Sequence, residues 1–257
     1  MAIDDADVEK EWPSGTLGQQ LSALYDHYGP QNWWPAQSRF EVIAGAYLTQ
    51  NTSWRNVELA IKNLRQARVL HVRGMRALSI RKLEQLIRPS GYFRQKARRL
   101  KFFIRFLDNF YGGSLDRMFR QPTTKLRGEL LALEGVGPET ADSILLYAGG
   151  HPVFVVDAYT RRIFEQRHRA IAVAGTVDYE QLRSTIEKTV YLNLLPNWNP
   201  ETAVNKSRHL PSRVSLARRS DAARIFNELH AVIVRTGNDH CRTLAKCDGC
   251  PLQRFLS

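Results

Sequence analysis

Two features of the chain have residue types and spacings that could do chemistry: the stretch Gly135-Val136-Gly137-Pro138 and the carboxylate of Asp157. Pro138 suits the first position of a helix, where no backbone donor is needed. Both glycines allow dihedral angles that other residues avoid, and let another molecule approach the backbone. Backbone amides at a helix start attract anions. The turn therefore either holds a phosphate or simply joins two helices.

Asp157 lies between the apolar run "HPVFVV" and the segment "AYTRRIF", where another helix begins. Aspartate at such a point is most often the N-cap of the following helix, because its side chain accepts a hydrogen bond from a backbone amide. Taken alone, capping is the simpler explanation of this residue.

The composition limits the partners of these groups. The chain has 257 residues, a formal net charge of +12 and a pI of about 9.9, which favours a polyanionic partner such as nucleic acid, or else a basic protein without one. No apolar run is long enough for a membrane span, and the acidic N-terminus does not resemble a signal peptide, so we expect a cytosolic protein with no membrane partner. Three cysteines close to the C-terminus do not form a secreted disulfide framework.

The elements that must position these groups are predicted to be helices. Apolar spacing predicts helices on both sides of "TQNTS", in "IRKLEQLIR" and "RQKARRLKFFIRFLDNFY", and on both sides of the glycine turn. The β-branched run "VFVV" is too short to build a sheet. The segment 197–219, rich in proline and basic residues, is predicted to be a loop or insertion that is either a solvated surface or a DNA contact.

The order helix, Gly-Val-Gly, helix, apolar run, aspartate resembles the helix-hairpin-helix and Gly/Pro-Asp signature of the endonuclease III superfamily of DNA glycosylases. "AYLTQNTSW" is similar to the family's first core helix and glutamine turn, "IRPSGYFRQKARRL" to its helix before the hairpin, and "CRTLAKCDGCPL" to its C-terminal cysteine loop. The resemblance covers roughly residues 33 to 252, except the basic loop.

This resemblance implies an all-α fold with two helical lobes and a DNA-binding cleft between them. The helix-hairpin-helix motif would occupy 124–148 within a six-helix lobe at 40–150. The second lobe would combine 1–39 with 151–257 and end in the cysteine loop. The implied partner is damaged double-stranded DNA, bound by a monomer in the bacterial nucleoid.

The resemblance also implies roles for individual residues. A glycosylase flips the damaged nucleotide out of the duplex, and a carboxylate stabilises the positive charge that builds on the sugar as the base leaves. Asp157 would be that carboxylate. The backbone of Gly135, Val136 and Gly137 would hold a phosphate, while Gln50 and Asn51 would contact DNA, with Gln50 filling the gap in the duplex. The alternative for Gln50 is a helix C-cap without DNA contact.

One departure from the family concerns the reaction type. Bifunctional members carry a lysine two residues after the last turn glycine, and that lysine forms a Schiff base with the sugar. Here the position is Glu139, and no lysine lies between Lys125 and Lys188. We therefore expect a monofunctional glycosylase that needs no cofactor for its chemistry. The alternatives are a bifunctional pyrimidine glycosylase/lyase and a non-catalytic DNA-binding protein.

A second departure concerns the cysteine loop. The family's iron–sulfur cluster has four cysteines, separated by six, two and five residues. Here Cys247 and Cys250 keep the middle spacing, Cys241 leaves five residues before Cys247, and the fourth position falls at Leu256. Three thiolates, together with His240, would hold an incomplete or unusual cluster; alternatively the loop folds without metal.

Tryptophans indicate the substrate class. Trp33 and Trp34 precede Pro35, and Trp54 follows the glutamine turn. The arrangement resembles the bacterial 3-methyladenine glycosylases of the endonuclease III type, in which such aromatics line the base pocket. Electron-rich indoles attract a positively charged alkylated purine by stacking and cation–π contact. The alternative is that the tryptophans are core packing.

Overall fold

The computed structural model describes residues 14–167, 177–198, 206–242 and 244–256, and the regular structure in those ranges is helical, with no β-strand. This confirms the predicted all-α class, and "VFVV" is irregular backbone. No helix within these ranges is both long and apolar enough to cross a membrane.

The described residues form two compact units. The central unit comprises Asn32–Val155 and His209–Arg224, and the terminal unit comprises the described parts of Met1–Gln31, Val156–Arg208 and Ile225–Ser257. The segments 32–39, 151–155 and 209–224 therefore belong with the central unit, which differs from the boundaries predicted for the lobes.

Eight α-helices lie in the fully described stretch Asn32–Val155, where the sequence predicted six. They are α2 (Arg39–Thr49), α3 (Trp54–Gln66), α4 (Val72–Ala77), α5 (Ile80–Leu86), α6 (Phe93–Tyr111), α7 (Leu115–Phe119), α8 (Thr123–Leu131) and α9 (Pro138–Ser143). α9 continues as a π-helix over Ile144–Gly149. The sequence analysis missed the short helices α4 and α7, which offer too few turns for a periodic pattern.

The terminal unit contains α1 (Ser14–Tyr28), α10 (Ala158–Arg161), α11 (Tyr179–Thr189) and most of α12 (Asp221–Asp239). α10 and α11 continue as π-helices over Arg162–Arg167 and Val190–Leu194.

Helix α2 forms the centre of the central unit. Every residue from Phe40 to Leu48 is buried, because α3, α6 and the α9 helix pack around it. The Ser38 hydroxyl accepts a hydrogen bond from the Glu41 amide and so fixes where α2 begins. A helix enclosed in this way holds the residues that follow its last turn, Gln50 and Asn51, in a defined place.

Candidate functional site

The glycine turn joins α8 to α9 in the predicted helix-hairpin-helix arrangement. Gly135 has a φ of 75° and uses the freedom of glycine, whereas Gly137 has a φ of −89° that any residue can adopt. Gly137 is the N-cap of α9 and has no side-chain cap, and a Cβ placed there would meet nothing within 4 Å. Glycine at this position leaves the start of α9 open to an approaching group.

Arg99 on α6 explains the second requirement for glycine at position 135. A Cβ atom at Gly135 would lie 2.0 Å from the Arg99 Nε, so the guanidinium occupies the space that any side chain would need. Val136 is buried between the two exposed glycines and anchors the turn. The hairpin therefore carries a positive charge packed against its backbone.

The Gln50 side chain connects the end of α2 to this hairpin. Its Nε2 donates to the Gly135 carbonyl at 2.9 Å and to the Thr140 Oγ1 at 3.0 Å. Its Oε1 accepts from the Arg99 Nη1 at 2.7 Å. Gln50 occupies the C-cap position of α2, and its side chain reaches the hairpin. The structure thus brings together the glutamine and the glycine turn, which are far apart in the sequence, and adds Arg99 and Thr140.

Asn51, the next residue, is exposed and has a φ of 50°. Asparagine tolerates this left-handed conformation better than most residues. The turn thereby presents the Asn51 side chain outward, where the prediction of a DNA contact requires it.

Lys96 supports the glutamine turn from inside the unit. Its Nζ donates to the Leu48 carbonyl at 2.8 Å and to the Ser90 carbonyl at 2.6 Å, and the residue is only 1% exposed. Burial lowers the pKa of Lys96 to about 8, and the neighbouring Arg99 charge adds to the shift. The ammonium therefore ties the last turn of α2 to the turn before α6.

Asp157 is the N-cap of α10 in the terminal unit. Its Oδ1 accepts from the Thr160 amide at 2.8 Å and from the Thr160 hydroxyl at 2.9 Å, in a capping box. Its Oδ2 lies 3.6 Å from the His230 Nε2. Burial lowers the pKa of His230, and the Asp157 carboxylate opposes that shift. The capping explanation is therefore correct, and one carboxylate oxygen remains outside the cap.

The predicted tryptophans form one aromatic cluster in the central unit. The Trp54 ring centroid lies 5.8 Å from that of Trp33 and 5.2 Å from that of Trp34. Trp34 is buried against Tyr147 and against Gly45 of α2, whereas Trp33, Pro35 and Trp54 are half-buried. Trp34 thus has a packing role, and the half-buried rings are the ones that a ligand can reach.

The basic segment contributes to the same cluster. The His209 ring lies 5.3 Å from Trp33, and the Ser212 hydroxyl donates to the Trp34 carbonyl at 3.1 Å. The Val214 amide donates to the Ala36 carbonyl. Within the predicted loop 197–219, residues 209–214 pack onto the tryptophan segment, and 199–205 lie outside the described residues.

Glu139, at the position of the family lysine, is exposed in the first turn of α9. The fully described stretch Leu126–Val155 contains no lysine. Lys96 is the nearby lysine in the network above, and its ammonium is buried and bound to two carbonyls.

The cysteine loop does not fit a four-thiolate cluster. Cys241 and Cys250 are buried and Cys247 is half-buried, and the Nδ1 of His240 is bonded to the Lys246 carbonyl at 2.9 Å. Burial raises the pKa of Cys241 to about 11. In the described ranges no group of three or more His, Cys, Asp or Glu side chains is placed to hold a metal ion. The three-thiolate site stays a prediction.

Four residues of these networks escaped the sequence analysis: Arg99, Thr140, Lys96 and His230. Arg99, Thr140 and His230 each contact a candidate residue that is distant in the chain, and Lys96 binds the last turn of α2 before Gln50. Arginines, lysines and a helical histidine are ordinary surface residues by pattern. The run "RQKARRL" carried the one available signal, since it places Lys96 and Arg99 on the same side of α6.

Comparison with known proteins agrees with this architecture. Residues 44–190 match the family model of the HhH-GPD superfamily base excision DNA repair proteins. A Methanocaldococcus jannaschii protein named as a candidate DNA repair glycosylase is 40% identical over 90% of this chain and 91% of its own length.

Two solved structures show the same fold. The H. pylori 3-methyladenine DNA glycosylase bound to 1,N6-ethenoadenine matches with a TM-score of 0.69 at 28% identity, covering 86% of this chain and 97% of that one. A trapped endonuclease III–DNA covalent intermediate matches with a TM-score of 0.68 at 20% identity, covering 95% of both chains. The chain therefore belongs to the HhH-GPD superfamily and is a DNA glycosylase of that superfamily.

Proposed function

We propose that this glycosylase is monofunctional and removes an alkylated purine, such as 3-methyladenine, from DNA. The observation that carries the proposal is the cluster of Trp33, Trp34 and Trp54. In this cluster the half-buried indole rings of Trp33 and Trp54 pack against the buried ring of Trp34. A purine alkylated at N3 carries delocalised positive charge, and indole faces bind such a ring by stacking and cation–π attraction. The H. pylori relative, named for 3-methyladenine, supports this substrate class.

The rings of Trp33 and Trp54 contact each other, with a centroid distance of 5.8 Å and an interplanar angle of 40°. A flipped base would therefore stack on an outer face of this pair. Trp34 would hold the pair in place from beneath, since it is buried against Tyr147.

In the proposed reaction the bond between the sugar C1′ and the purine nitrogen breaks, and its electron pair goes to the base. That pair neutralises the positive charge of the alkylated purine, so the base leaves without being protonated. The Asp157 carboxylate stabilises the positive charge left on the sugar, and water then adds at C1′ and gives up its proton to Asp157 or to solvent. This chemistry needs one carboxylate and no cofactor.

Glu139 supports the monofunctional assignment, because a carboxylate forms no Schiff base. The burial of Lys96 supports it too, since an ammonium bound to two carbonyls cannot reach a sugar. Borohydride trapping on DNA with an abasic site tests this part. We expect no stable adduct, and a strong adduct at single-turnover enzyme levels would show a lyase instead.

The substrate is tested by release of 3-methyladenine from methylated DNA, with oligonucleotides carrying oxidised pyrimidines or uracil as competitors. Wild type should release the methylated purine, and Trp33→Ala and Trp54→Ala should each lose about tenfold or more, because stacking on an aromatic side chain contributes about 1–3 kcal/mol per base. Phe110→Ala is the matched control, since Phe110 is 70% exposed on α6 and outside the cluster. Trp34 is unsuitable, because its replacement would create a cavity.

Failure of wild type to release the methylated purine would refute the substrate class. Equal activity of both tryptophan variants would refute the role of the cluster. Asp157→Asn should bind damaged DNA and release base at no more than a small residual rate; a non-catalytic binding protein would release none even as wild type.

A further inference from the structure

The two oxygens of the Asp157 carboxylate have different environments. Oδ1 receives two hydrogen bonds from Thr160 and is fixed by the cap of α10. Oδ2 takes no part in the cap and faces the imidazole of His230 on α12. The Asp157 side chain is 14% exposed, so part of it remains accessible.

His230 is a polar residue buried within an apolar stretch of α12. It is 5% exposed on α12, among the apolar residues Leu229, Val232 and Ile233, where a leucine or methionine would fill the same space. A buried imidazole requires polar partners. Its Nε2 lies 3.6 Å from Oδ2, just beyond hydrogen-bond length. Contacts of catalytic groups are commonly long before substrate binds and shorten in the complex.

We propose that His230 is a positioning residue for Asp157: its Nε2 donates to Oδ2 and fixes the plane of the carboxylate against the sugar. The proposal rests on the proposed role of Asp157 in base release. The cap alone holds one oxygen and leaves the carboxylate free to turn about the Cβ–Cγ bond, a torsion with broad minima. A second contact from α12 removes that freedom. Misplacement of a reacting group by about 1 Å can cost on the order of a hundredfold in rate.

The test compares two substitutions of similar size. His230→Met fills the space without a donor, and His230→Gln places an amide nitrogen near the position of Nε2. Asn227→Leu is the matched control, because Asn227 is a buried polar residue on α12, one turn before His230. Single-turnover base release, affinity for DNA containing an abasic-site analogue, and thermal melting are measured for each.

We expect His230→Met to slow single-turnover release by at least tenfold while its affinity for the abasic-site DNA changes less than twofold. His230→Gln should recover release to within about threefold of wild type, and Asn227→Leu should release at the wild-type rate. A packing role alone would change the melting temperature of both His230 variants without separating their release rates.

Asp157→Asn completes the set. In that background His230→Met should slow the residual release no further, because the carboxylate that it positions is absent. Wild-type release by His230→Met, or equal impairment of the Met and Gln variants with intact melting, would overturn the proposal. If His230→Met does not fold, His230→Asn takes its place, since its shorter amide does not reach Oδ2. Full activity of Asp157→Asn itself would instead refute the proposed function.

Discussion

The two glycines of the hairpin should respond differently to the same substitution. Gly135→Ala forces an alanine into a left-handed conformation, at a cost of roughly 1–2 kcal/mol. The new Cβ also overlaps Arg99, whose flexible side chain must move and lose its hydrogen bond to Gln50, worth about 1.5 kcal/mol or more for a charged donor. The lower entropy of the unfolded alanine chain returns about 0.4–1 kcal/mol. We expect a net loss of about 2 kcal/mol in unfolding free energy.

Gly137→Ala is the matched control, because its φ of −89° suits alanine and its Cβ would meet nothing. Alanine is a poorer N-cap than glycine by about 0.5–1 kcal/mol, and the entropy gain in the unfolded chain nearly offsets that loss. Stability should therefore change by less than about 0.5 kcal/mol. If the hairpin backbone holds a phosphate, however, the methyl group lies in its way, and affinity for DNA should fall by about tenfold.

Urea unfolding and DNA binding at several salt concentrations measure both effects. Backbone amides carry no net charge, so Gly137→Ala should weaken binding without changing the salt dependence, which reports the number of basic side chains at phosphates. Unchanged DNA affinity of Gly137→Ala would show that the turn only joins two helices. Equal stability loss in both variants would refute the structural distinction between them.

Three further results are expected. The pKa of Lys96 is about 8 in the folded protein and 10.5 in the unfolded chain, so the free energy of unfolding should rise between those pH values by up to about 3 kcal/mol. Lys96→Met should remove that rise. Identical pH–stability curves for the variant and wild type would refute the burial effect. Asp142→Asn should lower stability by about 3 kcal/mol in urea unfolding, because Asp142 is fully buried and its carboxylate contacts the Arg127 guanidinium at 2.7 Å; a loss below about 1 kcal/mol would contradict this. Elemental analysis and absorbance near 400 nm on undegraded protein should show substoichiometric iron or none, given the three cysteines; a full cluster would require a donor from outside the loop.

Local signals in the sequence predicted much of the fold. Helix caps and helix breakers marked the ends of the elements; for example, α6 ends at Gly112, which has a φ of 57°. Asp157 caps α10, as the simpler explanation of this residue predicted. The order of motifs correctly predicted the superfamily. The partners of the motif residues were not predictable, because Arg99, Lys96 and His230 act across long sequence separations. The packing of 209–214 onto Trp33 and Trp34 was missed for the same reason.

The three hydrogen bonds of Gln50 have a consequence for how such an enzyme would search a genome. The two neutral bonds contribute about 1 kcal/mol each and the bond from Arg99 about 1.5 kcal/mol or more. Withdrawing this side chain therefore costs about 4 kcal/mol before it touches DNA. Opening a well-stacked pair adds a few kcal/mol more, and least where the base is damaged. On intact duplex Gln50 would therefore keep its hydrogen bonds to the hairpin, and the protein would leave the site quickly. Only at a weakened base pair would insertion of the Gln50 side chain into the duplex become favourable. Discrimination of damaged from intact DNA would therefore begin before any base reached the tryptophans.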